Sequence, residues 1–312
     1  MLIEILISTL IGVFAGTITG LLPGIHINLV GTILVGLSAT LFSMINPIYL
    51  ISFIASMAIT HTFIDFIPSI FLGCPDTDTQ LSVLPGHELL KEGRGYEAVM
   101  LTATGAIFAI FILIVLSFPS AFIFSKIYDL IHSVMFWILS ATSLLLIFSE
   151  KKKLTALFVF LISGILGLYV LNSEIKEPLL PLLTGLFGSS MLIMSIKNKI
   201  QIPKQETDFQ RGKILKPIIG AILASPLCGF LPGLGSGQAA VLGNSISKTD
   251  RKGFLILIGA TNILVMGLSF VSLYAISKTR TGAAAAIQEI IGSLSWKLLL
   301  ILLLVVLISG II

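Results

Sequence analysis

The chain has 312 residues, of which 56% are apolar and only 11% charged, and its mean hydropathy is +1.07. Soluble domains carry about 25% charged residues, so a soluble globular protein is excluded. The net charge of +4 and pI near 9.0 sit in short loops between apolar runs, where the positive-inside rule accounts for them and nucleic-acid binding does not.

The apolar runs cover 2–22, 25–45, 48–73, 98–124, 132–149, 154–172, 178–196, 214–231, 233–246, 253–277 and 296–312. Most match the length of helix needed to cross a hydrocarbon layer of about 30 Å. Leu154 to Leu171 and Trp296 to Ile312 are apolar on every face, which a membrane β-barrel does not use. The fold class expected is an all-α polytopic membrane protein, multi-pass in the cell (cytoplasmic) membrane. The first run has no basic flank and no small-residue cleavage site before Pro23-Gly24, so it is expected to stay in the mature protein.

Four basic stretches interrupt the runs: Lys91 with Arg94, Lys151 to Lys153, the linker from Lys197 to Lys213, and Lys248 with Arg251 and Lys252. Pairs of spans between them keep all four on one side. The segment 214–246 then becomes a hairpin broken at Pro232-Gly233, and 2–45 one broken at Pro23-Gly24. Gly20-Leu21-Leu22-Pro23-Gly24 and Gly229-Phe230-Leu231-Pro232-Gly233 share G-x-L-P-G. Each is followed by small or polar residues: His26, Asn28, Gly31 and Thr32 in one, Gly235, Ser236, Gly237 and Gln238 in the other. A full span and a polar loop come next, Asp76-Thr77-Asp78-Thr79 or Lys278-Thr279-Arg280-Thr281. The reading is two inverted-topology repeats, 1–125 and 213–312, with connecting helices and a cytoplasmic linker over 126–212.

Proline and glycine inside an apolar run free backbone groups, which membranes tolerate only inside protein or beside a water-filled cavity. The half-helix after each Pro-Gly presents unpaired N–H groups suited to a carboxylate or phosphate. Pro23, Gly24, Pro232, Gly233 and Gly235 are therefore candidates. Asn28, Ser236 and Gln238 could hydrogen-bond a ligand, or serve as polar glue between helices. His26 could bond or titrate. Asp65, isolated in an apolar run with His61 one turn before it, is either a proton or sodium site or half of a structural His–Asp bond. Asp76 and Asp78 alternate with Thr77 and Thr79 as oxygen ligands for a hard cation, or form a solvated loop. Lys278, Thr279, Arg280 and Thr281 could grip an anion, or pair with the acids of the other loop. Cys74 and Cys228 lie far apart with no C-x-x-C or Cys/His cluster, so neither zinc nor a disulfide framework is expected.

These residues resemble the large membrane subunit of tripartite tricarboxylate transporters, the TctA family. The resemblance rests on the two G-x-L-P-G segments, the second as Gly229 to Ser236, and on Leu72-Gly73-Cys74-Pro75-Asp76-Thr77-Asp78-Thr79. It continues through Leu84-Pro85-Gly86-His87-Glu88-Leu89-Leu90-Lys91-Glu92-Gly93-Arg94-Gly95. It implies a carrier with two inverted halves that takes up a carboxylate anion with an ion gradient. It also implies that the turns at 23–24 and 232–233 and the loops 76–79 and 278–281 lie near the substrate. The chain departs from the family in being shorter than the usual large subunit, in carrying His26 and Asn28, and in Lys278 and Arg280.

The function expected is an ion-coupled secondary transporter of a small organic anion, a di- or tricarboxylate, working by alternating access. No resident cofactor is expected, and Na+ or H+ is the coupling ion. Partners under this reading are a small membrane subunit and an extracytoplasmic binding protein, and homodimerisation stays open. The alternative is a carrier or flippase of an anionic lipid such as a polyprenyl phosphate. An intramembrane enzyme is disfavoured, because the chain has neither H-E-x-x-H nor G-x-S-x-G.

Overall fold

The computed structural model describes residues 2–25, 27–41, 45–73, 75, 78–173, 189, 193, 196–197, 202–210, 212–231 and 234–312. Among these it is all-helical. Helix α1 (Leu2–Leu21) ends at the Pro23-Gly24 turn, where Gly24 takes φ +93°, and α2 (Ile27–Leu41) follows. Asn46 caps α3 (Pro47–Ile64) by accepting from the Ile48 amide at 3.0 Å, with Pro47 in the first turn where its missing N–H costs nothing. The run 48–73 is divided at Asp65, after which α4 (Phe66–Leu72) stops at left-handed Gly73. A 3-10 turn (Gln80–Ser82) and α5 (Val83–Lys91) lead to α6 (Gly95–Ser149), then α7 (Lys153–Leu171). The later helices are α8 (Leu215–Phe230), α9 (Ser236–Ser247), α10 (Arg251–Ile276), α11 (Gly282–Ile291) and α12 (Trp296–Ile311).

One expectation gives way here. The runs 98–124 and 132–149 are not two spans with a turn between them but one 55-residue helix, α6, about 80 Å long. Residues 125–131 hold polar side chains but no glycine or proline, and polarity alone does not break a helix. Even Pro119 is carried within it. The paired crossings that placed Lys151 to Lys153 with the other basic stretches therefore lose their turn.

The other three stretches do meet. Lys252 and Arg94 both pair with the buried Glu97, at 2.7 and 2.6 Å, and Arg251 binds Glu92 through two nitrogens at 2.7 and 3.0 Å. The linker joins them: the Glu206 amide donates to the Gly93 carbonyl at 2.7 Å, and Gln205 accepts from the Gly95 amide at 2.8 Å. A charged end is thus built from α5, α6, α10 and the linker.

Small residues bring the helices together, as membrane packing favours. Gly12, Gly16 and Gly20 of α1 lie on Ser56, Met57 and Ile64 of α3, so these two helices run parallel. In the same way Pro217 meets Gly253 and Gly229 meets Ser272, so α8 and α10 are parallel. Gly105 and Gly259 let α6 and α10 touch backbone to backbone, and Leu113 reaches Gly267 further along, so this pair is also parallel. By contrast α12 runs against α6, with Gly310 beside Ile110 and the Trp296 ring 5.6 Å from that of Phe118. Phe66 and Ile70, at the end of α3–α4, share a buried cluster with Leu255 and Ile258 near the start of α10, so α3–α4 opposes α10.

Candidate functional site

The break between α8 and α9 begins where Leu231 leaves helical geometry for an extended backbone and ends at extended Gly235. Pro232 and Gly233 lie outside the described residues. The helices return on each other as a hairpin, with Gly220 against Gly243, and Cys228 donating to the Gly235 carbonyl at 3.3 Å. At the start of α9 the Gly235 amide donates to Gln238 Oε1 at 3.0 Å, and the Ser236 hydroxyl donates to Asp78 Oδ1 at 2.7 Å. Ser236 and Gln238 are therefore engaged within the fold, and the positive end of α9 faces a carboxylate of the chain itself.

Asp78 thereby ties the first loop to the second hairpin. Its neighbour Thr79 is fully buried and shares a 2.6 Å hydrogen bond with Ser69, whose hydroxyl also lies 2.7 Å from the Asp65 carbonyl. Asp65 is buried at the junction of α3 and α4, with its carboxylate 4.0 Å from His61 Nε2, and His61 Nδ1 is 3.0 Å from the Thr19 hydroxyl of α1. His61 and Asp65 share the expected face, and the Ser69 and Thr79 hydroxyls link the Asp65 backbone carbonyl to the first loop. Asp76 and Thr77 lie outside the described residues.

The second loop is assembled around serines of α10. Left-handed Ser277 ends that helix, and the Ser269 hydroxyl accepts from the amides of Arg280 and Thr281 at 2.9 and 3.0 Å. Thr281 then caps α11 by accepting from Ala284. Arg280 Nε donates to the Gly229 carbonyl at 3.3 Å, and Ser272 donates to the same oxygen. The half-buried guanidinium also meets the Tyr128 hydroxyl. Desolvation pulls its pKa below the ordinary value, and Tyr128 opposes that fall.

A cavity of about 290 Å³ opens between this loop and the hairpin break, lined by Leu231, Leu234, Thr279, Arg280, Thr281 and Gly282. It combines a guanidinium with the N-terminal end of α11, an arrangement suited to an anion. Of the expected residues, Thr279, Arg280 and Thr281 come together here, while Lys278 is exposed and does not line the cavity. Gly235, Ser236 and Gln238 shape the adjoining turn.

The first break differs, and the hairpin expected there does not close among the described residues: α1 packs on α3 and α2 on α11. Pro23 and Gly24 are exposed, and no atom lies within 4 Å of where a Gly24 Cβ would stand. Helix α2 rests on the distant α11, with Gly31 against Ala286. His26 lies outside the described residues, as does the side chain of Asn28.

Tyr128, Ser269 and Ser272 were not among the expected residues: Tyr128 falls in the gap between the runs 98–124 and 132–149, and serine in an apolar run carries no spacing signal. Asn262 was missed for the same reason: it is 3% exposed in α10, and neither carboxamide atom has a hydrogen-bond partner among the described residues. Such a group at membrane depth is costly.

Residues 2–21, 47–72, 95–149, 153–171 and 251–276 form helices long and apolar enough to cross a membrane, and the chain is a multi-pass membrane protein. It is 35% identical over 291 residues to an uncharacterized protein of Methanocaldococcus jannaschii, covering 91% of this chain and 72% of that one. No solved structure matches it. The model of the tripartite tricarboxylate transporter TctA family matches residues 6–312, nearly the whole chain, and the protein belongs to that family of transporter components.

Proposed function

We propose that this protein is the translocating membrane subunit of an ion-coupled carrier for a small organic anion, a di- or tricarboxylate, in the cell membrane. The observation that carries this reading is Arg280. It is a half-buried cation at a cavity that also holds the first turn of α11, beside a broken membrane hairpin. Family membership supports the carboxylate class, with a small membrane subunit and an extracytoplasmic binding protein as partners.

Alternating access follows from reading the chain as two inverted repeats. The succession of helix, Pro-Gly break, helix, long helix, polar loop, short helix and long helix occurs as α1 to α6 and again as α8 to α12. The corresponding pairs α3–α4 with α10, and α6 with α12, run in opposite directions. That supports an inverted arrangement, with the substrate site where the halves meet. Asp65, beside His61 and joined to the first loop through Ser69 and Thr79, is the candidate for coupling to Na+ or H+.

The test is ligand-induced thermal stabilisation of purified protein with citrate and smaller dicarboxylates, each with and without sodium, and with a short polyprenyl phosphate. A ligand that binds only the folded state raises its melting temperature. The expected result is a shift with carboxylates that R280Q loses, a fall in affinity of about tenfold or more, the worth of one charged hydrogen bond. An unchanged affinity in R280Q overturns the site, and a shift with the lipid phosphate alone overturns the substrate class.

A further inference from the structure

A second cavity, of about 460 Å³, lies between α6, the end of α10 and the start of α12, walled by Phe118, Phe122, Tyr274, Trp296, Leu299 and Leu300. Its two α6 serines are already used: Ser117 donates to the Leu113 carbonyl at 2.6 Å and Ser125 to that of Phe122 at 2.9 Å. The wall therefore offers hydrocarbon contact and little hydrogen bonding, unlike the cavity at Arg280. Its depth is set by α6: Phe118 is about 32 Å of helix from Glu97 at the charged end, close to one hydrocarbon thickness. The cavity thus sits at the opposite membrane interface, where Trp296 and Tyr274 belong by type.

A lysine stands at the rim. Lys126 holds its ammonium 5.8 Å from the centre of the Phe122 ring, over the cavity wall, and is exposed, as is Lys297 next to Trp296. We infer that this cavity is a binding site for an anionic phospholipid, with an acyl chain along Phe118, Phe122 and Leu300 and the phosphate at Lys126. An apolar slot at interface depth with a lysine at its mouth matches a lipid in both shape and charge.

The same stretch of α6 serves the anion cavity. Phe118, Phe122 and Ser125 face the lipid slot, while the Phe124 ring lies under Gly229 and Tyr128 meets Arg280. A lipid seated in the slot steadies the helix that holds the partner of Arg280. Only this last link rests on the transport reading.

The experiment compares melting temperatures of the purified protein supplemented with phosphatidylglycerol or phosphatidylcholine of identical acyl chains, with no carboxylate present. Phosphatidylglycerol is expected to raise the midpoint by several degrees more than phosphatidylcholine. K126Q should abolish that difference, and A121F, which fills the slot, should reduce the shift from both lipids. Equal shifts from the two lipids, or a difference that survives K126Q, overturn the site. If A121F does not fold, the exposed Lys126 variant decides alone. If A121F instead dissociates a dimer and neither lipid matters, the slot is a protein interface. Because no anion is present, failure of the carboxylate reading leaves this result interpretable.

Discussion

The two Pro-Gly breaks carry the same five-residue pattern and adopt different surroundings. In the second half α9 folds back along α8, its first turn is closed by Gln238 and Asp78, and Arg280 and Ser272 converge on the Gly229 carbonyl near the end of α8. In the first half Gly24 stands in open space, and α2 leans on the distant α11. A shared motif therefore fixes where the helix breaks. What closes the break comes from loops far away in sequence. Asp78 is 158 residues from Ser236, and Arg280 is 51 from Gly229.

That contrast can be broken most severely at Gly243. A Cβ there would stand 2.8 Å from the Gly220 carbonyl oxygen, a backbone atom that cannot swing aside. G243L should cost about 3 kcal/mol, seen as a clear fall in melting temperature. Next comes Ser236, where S236A removes the donor to a partly buried carboxylate and should cost about 2 kcal/mol. The first break should be more forgiving: G24A meets no neighbour and carries only the strain of φ +93°, about 1 kcal/mol. If G24A proved as damaging as G243L, the difference between the breaks would fall.

The smallest effect concerns pH at the charged end. Arg251, by hydrogen bonding and charge, holds the Glu92 carboxyl below its ordinary pKa, with Arg94 contributing less. A depressed carboxylate stabilises the folded state above its unfolded pKa, about 4.3, and that contribution disappears as pH falls through the folded value. E92Q should therefore flatten the acid side of the melting-temperature profile slightly, since the pair is exposed.

Much of this architecture was legible in the sequence. Apolar length gave the membrane class, Pro-Gly gave the second break, and the loop after the following span gave Thr279, Arg280 and Thr281. The continuity of α6 was not legible, because Lys126 and Asp129 resemble a loop by polarity while every residue from 125 to 131 tolerates a helix. Tyr128 was hidden by the same misreading. Ser269 and Ser272 act through contacts with the distant Arg280 loop and with Gly229, which no local pattern encodes.

The contact between the linker and the turn before α6 bears on how the polypeptide can be divided. The Glu206 backbone holds Gly93 and the Gln205 side chain holds the Gly95 amide, and Lys252 and Arg251 clasp Glu97 and Glu92 beside them. The two halves are thus riveted by noncovalent bonds on both sides of the stretch that joins them. A chain severed between residues 173 and 202 would keep those rivets, so its fragments carry the means to find each other as separate polypeptides.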